Sequence, residues 1–212
     1  LLSGIYKSYY PSGEIYFSKT FKDGVKNGLA KEYYESGTVK SRENYLNDEL
    51  DGECLYYYED GTLKQKVTYV SGQIEGVLME YYSSGDKSKE IEYSNGQWNG
   101  LVREYFPDGQ IENEWFYKDG VQHGLAKSYY RNGKLKWEAN FLDNELIGKS
   151  FTYNQDGKML VEAEFANGKL NGEVMEFYAS GELKSIGQYL DDYQEGEFFE
   201  YYKNGQLKIE RI

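Results

Sequence analysis

Few side chains in this sequence are of the kinds that make or break bonds. His123 is the only histidine and Cys54 the only cysteine among 212 residues. A histidine base or metal ligand needs partners, and no second histidine or cysteine exists to join it. His123 therefore reads as a strand residue in Val121-Gln122-His123. Cys54 occupies a place where equivalent stretches carry Ala30, Leu78, Val102 and Ala126, which makes it a small packing residue. A nucleophilic thiolate would need a paired base, and none is placed for it. The 36 carboxylates make close acidic pairs inevitable, so no pair stands out as a glycosidase couple. Aspartates in the turns lack the alternating oxygen ligands and closing glutamate of a calcium loop. The expectation is a chain without catalytic residues, metal or cofactor.

What remains is aromatic surface. The chain contains 24 tyrosines and 10 phenylalanines. Tyrosine supplies area together with a hydroxyl, which suits interfaces. The candidate interaction residues are Tyr10, Tyr34, Tyr58, Tyr82, Phe106, Tyr130, Tyr178, Tyr202 and Trp98. The first eight recur at one position of a repeat.

That repeat positions everything else. Gly4, Gly28, Gly52, Gly76, Gly100, Gly124, Gly148, Gly172 and Gly196 follow one another at intervals of 24 residues. A second register runs from Gly13 to Gly205, and a third holds Gly24, Gly72, Gly96, Gly120 and Gly168. Only Gly187 falls outside all three. Where the third register lacks glycine it has Asp48, Asn144 and Asp192. Asn and Asp are the other residues that tolerate positive φ, so this position calls for a left-handed backbone. Each repeat thus has two turn signals and two strands. The chain is predicted to be all-β: an elongated single-layer antiparallel meander of about 18 strands in nine stacked hairpin repeats, residues 1–212 forming one array. At about 4.8 Å per strand its length would be on the order of 80 Å.

Counting from the first glycine, position 6 is aromatic throughout (Tyr9 to Tyr201) and position 18 nearly so (Phe21 to Tyr189). Position 12 is aliphatic except at Lys87, and position 16 is often apolar, as in Val67, Ile91 and Trp115. Three-residue loops at positions 8–10 and 19–21 would pair 6 with 12 and 18 with 22. Positions 6, 12, 16 and 18 would then share the packed face. The aromatic position 7 would lie on the opposite face, with Glu at position 5 facing Lys at 13. Glu32–Lys40, Glu176–Lys184 and Glu200–Lys208 fit such pairs, each contributing about 0.2–1 kcal/mol.

The formal net charge is −12 and the mean hydropathy −0.81. An acidic chain lacks the clustered cations that nucleic-acid backbones and anionic membranes require. No stretch is long and apolar enough for a membrane-spanning helix. Disorder is countered by the aromatic content. The sequence opens at Leu1 rather than Met, and removal of an upstream segment would fit an exported or cell-surface protein. An open sheet also leaves edges; the stretch Leu207–Ile212 could pair with a second copy, giving an edge-to-edge homodimer.

The pattern G-x-x-x-x-Y-Y-x-x-G-x-L, then Y-x-x-G-x-x-x-G, resembles the MORN repeat family in its variant bacterial form. Gly28, Tyr33, Tyr34, Gly37, Val39, Tyr45 and Gly52 carry it once; Gly100, Tyr105, Phe106, Gly109, Ile111, Tyr117, Gly120 and Gly124 carry it again. The resemblance spans essentially the whole chain. It implies a hairpin array that binds an unidentified protein partner, as in antitoxin-like relatives, or that associates with lipid in some members. The same repeats accompany certain phosphatidylinositol-phosphate kinases, but this chain lacks the kinase Gly-rich loop and the His-Arg-Asp and Asp-Phe-Gly motifs. Glycan binding by exposed Tyr and Trp is a further alternative.

Overall fold

A computed structural model describes Leu1 to Ile212. The chain contains strands and turns and no helix. Two units are distinguished, Leu1–Gly109 and Gln110–Ile212. The first holds β1 (Gly4–Tyr9), β2 (Ile15–Lys22), β3 (Val25–Tyr33), β4 (Val39–Leu46), β5 (Glu49–Leu50), β6 (Gly52–Tyr57), β7 (Leu63–Val70), β8 (Gln73–Ile74), β9 (Gly76–Tyr81), β10 (Lys87–Ser94) and β11 (Gln97–Tyr105). The second holds β12 (Ile111–Lys118), β13 (Val121–Gln122), β14 (Gly124–Tyr129), β15 (Leu135–Leu142), β16 (Glu145–Tyr153), β17 (Met159–Ala166), β18 (Lys169–Phe177), β19 (Leu183–Leu190), β20 (Tyr193–Tyr201) and β21 (Leu207–Arg211). Within each unit successive strands pair antiparallel, so each is a meander of consecutive hairpins. Asp51, Glu75 and His123 interrupt three otherwise continuous strands; β5/β6, β8/β9 and β13/β14 are the halves. Counting each broken strand once reduces the 21 segments to the expected 18 strands.

The two turns of the repeat differ, and one departs from the sequence expectation. At positions 8–10 the three-residue loop forms as anticipated. In repeat two, Tyr34 N–H donates to the Thr38 carbonyl, and Gly37 takes a φ of +84°. At the other end the loop has two residues, not three. Tyr69 pairs with Ile74 and Val70 with Gln73, leaving Ser71 and Gly72 as the turn. Both have positive φ, +48° and +77°. That is the tight turn whose twist suits antiparallel strands, and it explains the Asn-Gly and Asp-Gly dipeptides. Asp48, Asn144 and Asp192 do adopt positive φ (69°, 70° and 72°). They also accept, through their side chains, the backbone N–H of Lys26, Gln122 and Leu170, in the strands that leave the preceding tight turn, at 2.7, 2.9 and 2.8 Å. Where this position is glycine, Asp51 and Glu75 make a comparable link, accepting from Ser71 and Asn95 N–H at 3.1 and 2.8 Å.

A one-residue bulge also changes the assignment of faces. Tyr57 pairs with Leu63, as positions 6 and 12 should, but Tyr56 pairs with Gln65, so Lys64 is an extra residue. The same shift occurs in the other hairpins. Because side chains alternate, one inserted residue reverses the parity of the strand beyond it. Positions 16 and 18 therefore share a face with 1, 3 and 5, while position 6 lies on the other with 4 and 15. The expectation that 6, 12, 16 and 18 form one packed face is corrected accordingly. Tyr81 hydroxyl on Met79 Sδ (3.3 Å) and Tyr105 hydroxyl on Glu90 (2.7 Å) mark the position-6 side.

The core is a column of small and aliphatic side chains at positions 3 and 16. In the first unit Ala30, Cys54, Val67, Leu78, Ile91 and Val102 are buried; in the second, Ala126, Ala139, Ser150 and Ala163. Cys54 pairs with Val67 and Leu78 with Ile91 across the hairpin. Aromatic residues at 18 flank the column, joined at position 14 by Trp137, whose Nε1 donates to Ser150 Oγ at 3.0 Å and whose ring meets Phe141 edge-on. Gly187, the glycine outside the repeat, pairs with the bulky position-3 residue Phe198. A Cβ on Gly187 would come within 2.9 Å of that ring, so a large residue on one strand is matched by none on the next.

Candidate interaction face

Position 7 follows position 5 by two residues, so its ring lies on the core-column side. Its hydroxyl reaches forward one repeat. Tyr10, Tyr34, Tyr58 and Tyr82 donate to the backbone carbonyls of Tyr33, Tyr57, Tyr81 and Tyr105, at 2.7, 2.8, 2.7 and 2.6 Å. In the second unit Tyr130 and Tyr178 donate to the Tyr153 and Tyr201 carbonyls, both at 2.8 Å. Asn154, the non-aromatic member, substitutes an amide, its Nδ2 donating to the Ala179 carbonyl at 3.1 Å. Each hydroxyl thus fastens one hairpin to the next while part of the residue stays exposed. Tyr10, Tyr34, Tyr58, Tyr82, Phe106, Tyr130 and Tyr178 are half-buried and Tyr202 is exposed. Burial pushes the Tyr10 hydroxyl above its ordinary pKa of 10.0.

The bulge residue at position 13 belongs to the same strip. Lys64, Lys136 and Lys208 lie over the rings of Tyr58, Tyr130 and Tyr202, 5.7, 5.9 and 5.8 Å from their centroids. The three anticipated Glu–Lys pairs form, at 2.9 Å for Glu32–Lys40, 2.8 Å for Glu176–Lys184 and 2.6 Å for Glu200–Lys208. Position 5 opposes position 14 in register, not 13, and it is the bulge that still brings the lysine within reach. These glutamates hold the Lys40, Lys184 and Lys208 ammonium groups above their ordinary pKa. All are solvent-accessible, so their contribution to stability stays below about 1 kcal/mol.

Trp98 sits elsewhere. It faces Tyr93 across a tight turn, is half-buried, and donates from Nε1 to the Tyr93 hydroxyl at 2.9 Å. The structure therefore gathers the position-7 residues into a strip within each unit and leaves Trp98 outside it. Sequence reasoning placed the position-13 lysines on the same face as position 7 but did not count them among the interaction residues. It also missed a half-buried polar group, Glu43, at a position otherwise used by the core column. Its carboxylate accepts from Tyr45 at 2.9 Å. Burial, reinforced by this carboxylate, drives the Tyr45 and Tyr56 hydroxyls far above their ordinary range.

The residues singled out for covalent chemistry are dispersed. Cys54 is fully buried, and burial raises its thiol pKa, which keeps it protonated and unreactive. His123 contributes its backbone N–H to the Phe116 carbonyl at 2.9 Å where the strand breaks. No group of three or more His, Cys, Asp or Glu side chains is arranged to hold a metal. The surface has hollows, the best formed being a cavity of about 340 Å³ lined by Tyr56, Tyr58, Lys64, Gln65, Glu80, Tyr81 and Ser88.

Consecutive hairpins tied by a recurrent tyrosine and lined by a side-chain strip define a β-hairpin repeat scaffold. The MORN repeat variant matches seven stretches, residues 2–23, 26–47, 50–71, 98–119, 122–143, 170–191 and 194–211. The chain belongs to this family. No curated protein matches it. Among solved structures, alternansucrase in complex with isomaltononaose is 15% identical; the match covers 97% of this chain but only 16% of that one, with a TM-score of 0.20. At that score the superposition informs neither fold nor activity.

Proposed function

We propose that this chain is a non-catalytic scaffold that binds a protein partner through the strip formed by positions 7 and 13. The carrying observation is that the tyrosine hydroxyls are already committed to inter-repeat bonds while the residues stay partly exposed. A ring held before binding loses little conformational freedom on binding, so its area converts efficiently into affinity. The lysines over these rings supply positive charge beside them, and the net charge of −12 disfavours anionic lipid as the ligand. An antitoxin-like role, or display at a cell surface, fits such a scaffold.

Affinity capture from the native cell, followed by mass spectrometry, tests this when run beside a variant with Lys64, Lys136 and Lys208 changed to alanine. A partner held by the parent chain and lost by an equally stable variant supports the strip. Equal capture by both, or clear binding to anionic liposomes with no protein captured, refutes it.

A further inference from the structure

In three repeats the position-5 glutamate and position-13 lysine neutralise one another within a hairpin. Two adjacent repeats of the first unit break this arrangement in opposite ways. Repeat three keeps the lysine, Lys64, but has Tyr56 at position 5; repeat four keeps the glutamate, Glu80, but has Ser88 at position 13. Lys64 makes no ion pair and lies over Tyr58. Glu80 makes no ion pair either, and accepts only from Gln65 Nε2 at 3.2 Å. Both line the same cavity of about 340 Å³. The missing lysine side chain at Ser88 helps open that space, and Tyr56 and Tyr58 wall it.

We propose that this cavity binds a small zwitterion of the α-amino-acid class. The ligand's carboxylate pairs with Lys64 and its ammonium with Glu80, supplying the charge pairing that repeats two, eight and nine make internally. The Tyr56 and Tyr58 rings then face the ligand's side chain, favouring an apolar or aromatic one. The volume suits a molecule of that size. Both charges contribute, because a ligand with one leaves the other protein charge paired only with water.

Isothermal titration of the full chain with L-phenylalanine, phenethylamine and 3-phenylpropionate tests the proposal, alongside Lys64→Gln and Glu80→Gln. The amino acid is expected to bind. Loss of either ligand charge, or of either protein charge, should weaken binding severalfold, up to about fivefold. The two variants should melt with the parent chain, since Glu80→Gln keeps an acceptor for Gln65 and Lys64→Gln breaks no ion pair. No heat with the amino acid at millimolar concentration overturns the proposal. So does equal binding of 3-phenylpropionate, or binding indifferent to both substitutions. Loss of the protein partner in the lysine variant set would leave this outcome unaffected, because the titration needs no partner.

Discussion

Replacing Tyr58 with phenylalanine isolates the inter-repeat staple. The change leaves the ring and removes one hydroxyl, which donates to the Tyr81 carbonyl 2.7 Å away. An intramolecular hydrogen bond contributes a net 0.5–1.5 kcal/mol, about 1. The site is only partly buried, so water can reach the abandoned carbonyl and the loss should stay near that central value. Successive staples lie two strands apart, close to 10 Å, so their effects should be nearly additive. Removing the hydroxyls of Tyr10, Tyr34, Tyr58 and Tyr82 together should cost roughly 4 kcal/mol. Tyr58→Ala also removes ring packing and should cost about 2–4 kcal/mol alone. Tyr202, 51% exposed, provides the control, and Tyr202→Phe should change stability by less than about 0.3 kcal/mol. Urea denaturation followed by circular dichroism gives these values, provided the slope with denaturant is unchanged. If Tyr58→Phe matches Tyr202→Phe, the hydroxyl is no staple and the account of repeat coupling fails.

Gly100→Ala should destabilise by about 2–4 kcal/mol, because φ is +125° and the new Cβ would fall 1.9 Å from Glu92 Oε2, displacing the carboxylate from Leu101 N–H. Gly109→Ala, also at positive φ but with nothing within 4 Å, should cost only about 1–2 kcal/mol, and thermal melts of the pair separate backbone strain from collision. Asp48→Gly keeps the backbone conformation but loses the bond to Lys26 N–H, whereas Asp48→Ala loses both; the melting temperature should fall in the order parent, glycine, alanine. Acid should weaken the fold through Glu90, whose carboxyl, though burial opposes it, is held below its ordinary 4.5 by the Tyr105 hydroxyl and Lys87. A folded pKa below the unfolded one means the contribution is complete above about 4.5 and is lost as pH falls through the folded value. Urea midpoints measured from pH 6 downwards should therefore drop less steeply for Glu90→Gln, and an identical pH dependence would contradict the assignment.

The period of 24, the two turns per repeat and the all-β class were legible in glycine spacing alone. A turn needing positive φ restricts its residues wherever it occurs, so Asp48, Asn144 and Asp192 could be read without any tertiary information. The Glu–Lys pairs were legible too, because they are local to one hairpin. The parity of the faces was not. A bulge adds a residue without demanding a particular side chain, and the lysines and Tyr16 at position 13 look like ordinary strand residues. One signal was present: positions 3 and 16 are both small or apolar, yet one is odd and the other even, which requires an inserted residue between them. The links between repeats, from Tyr58 to the Tyr81 carbonyl and from Asp48 to Lys26 N–H, join residues 22 or 23 apart. So does the juxtaposition of Lys64 and Glu80 on one cavity arise from the pairing of hairpins. Sequence determined each hairpin because turn geometry is a local steric property. Tertiary structure decided which side chains meet, because that depends on register accumulated over paired strands.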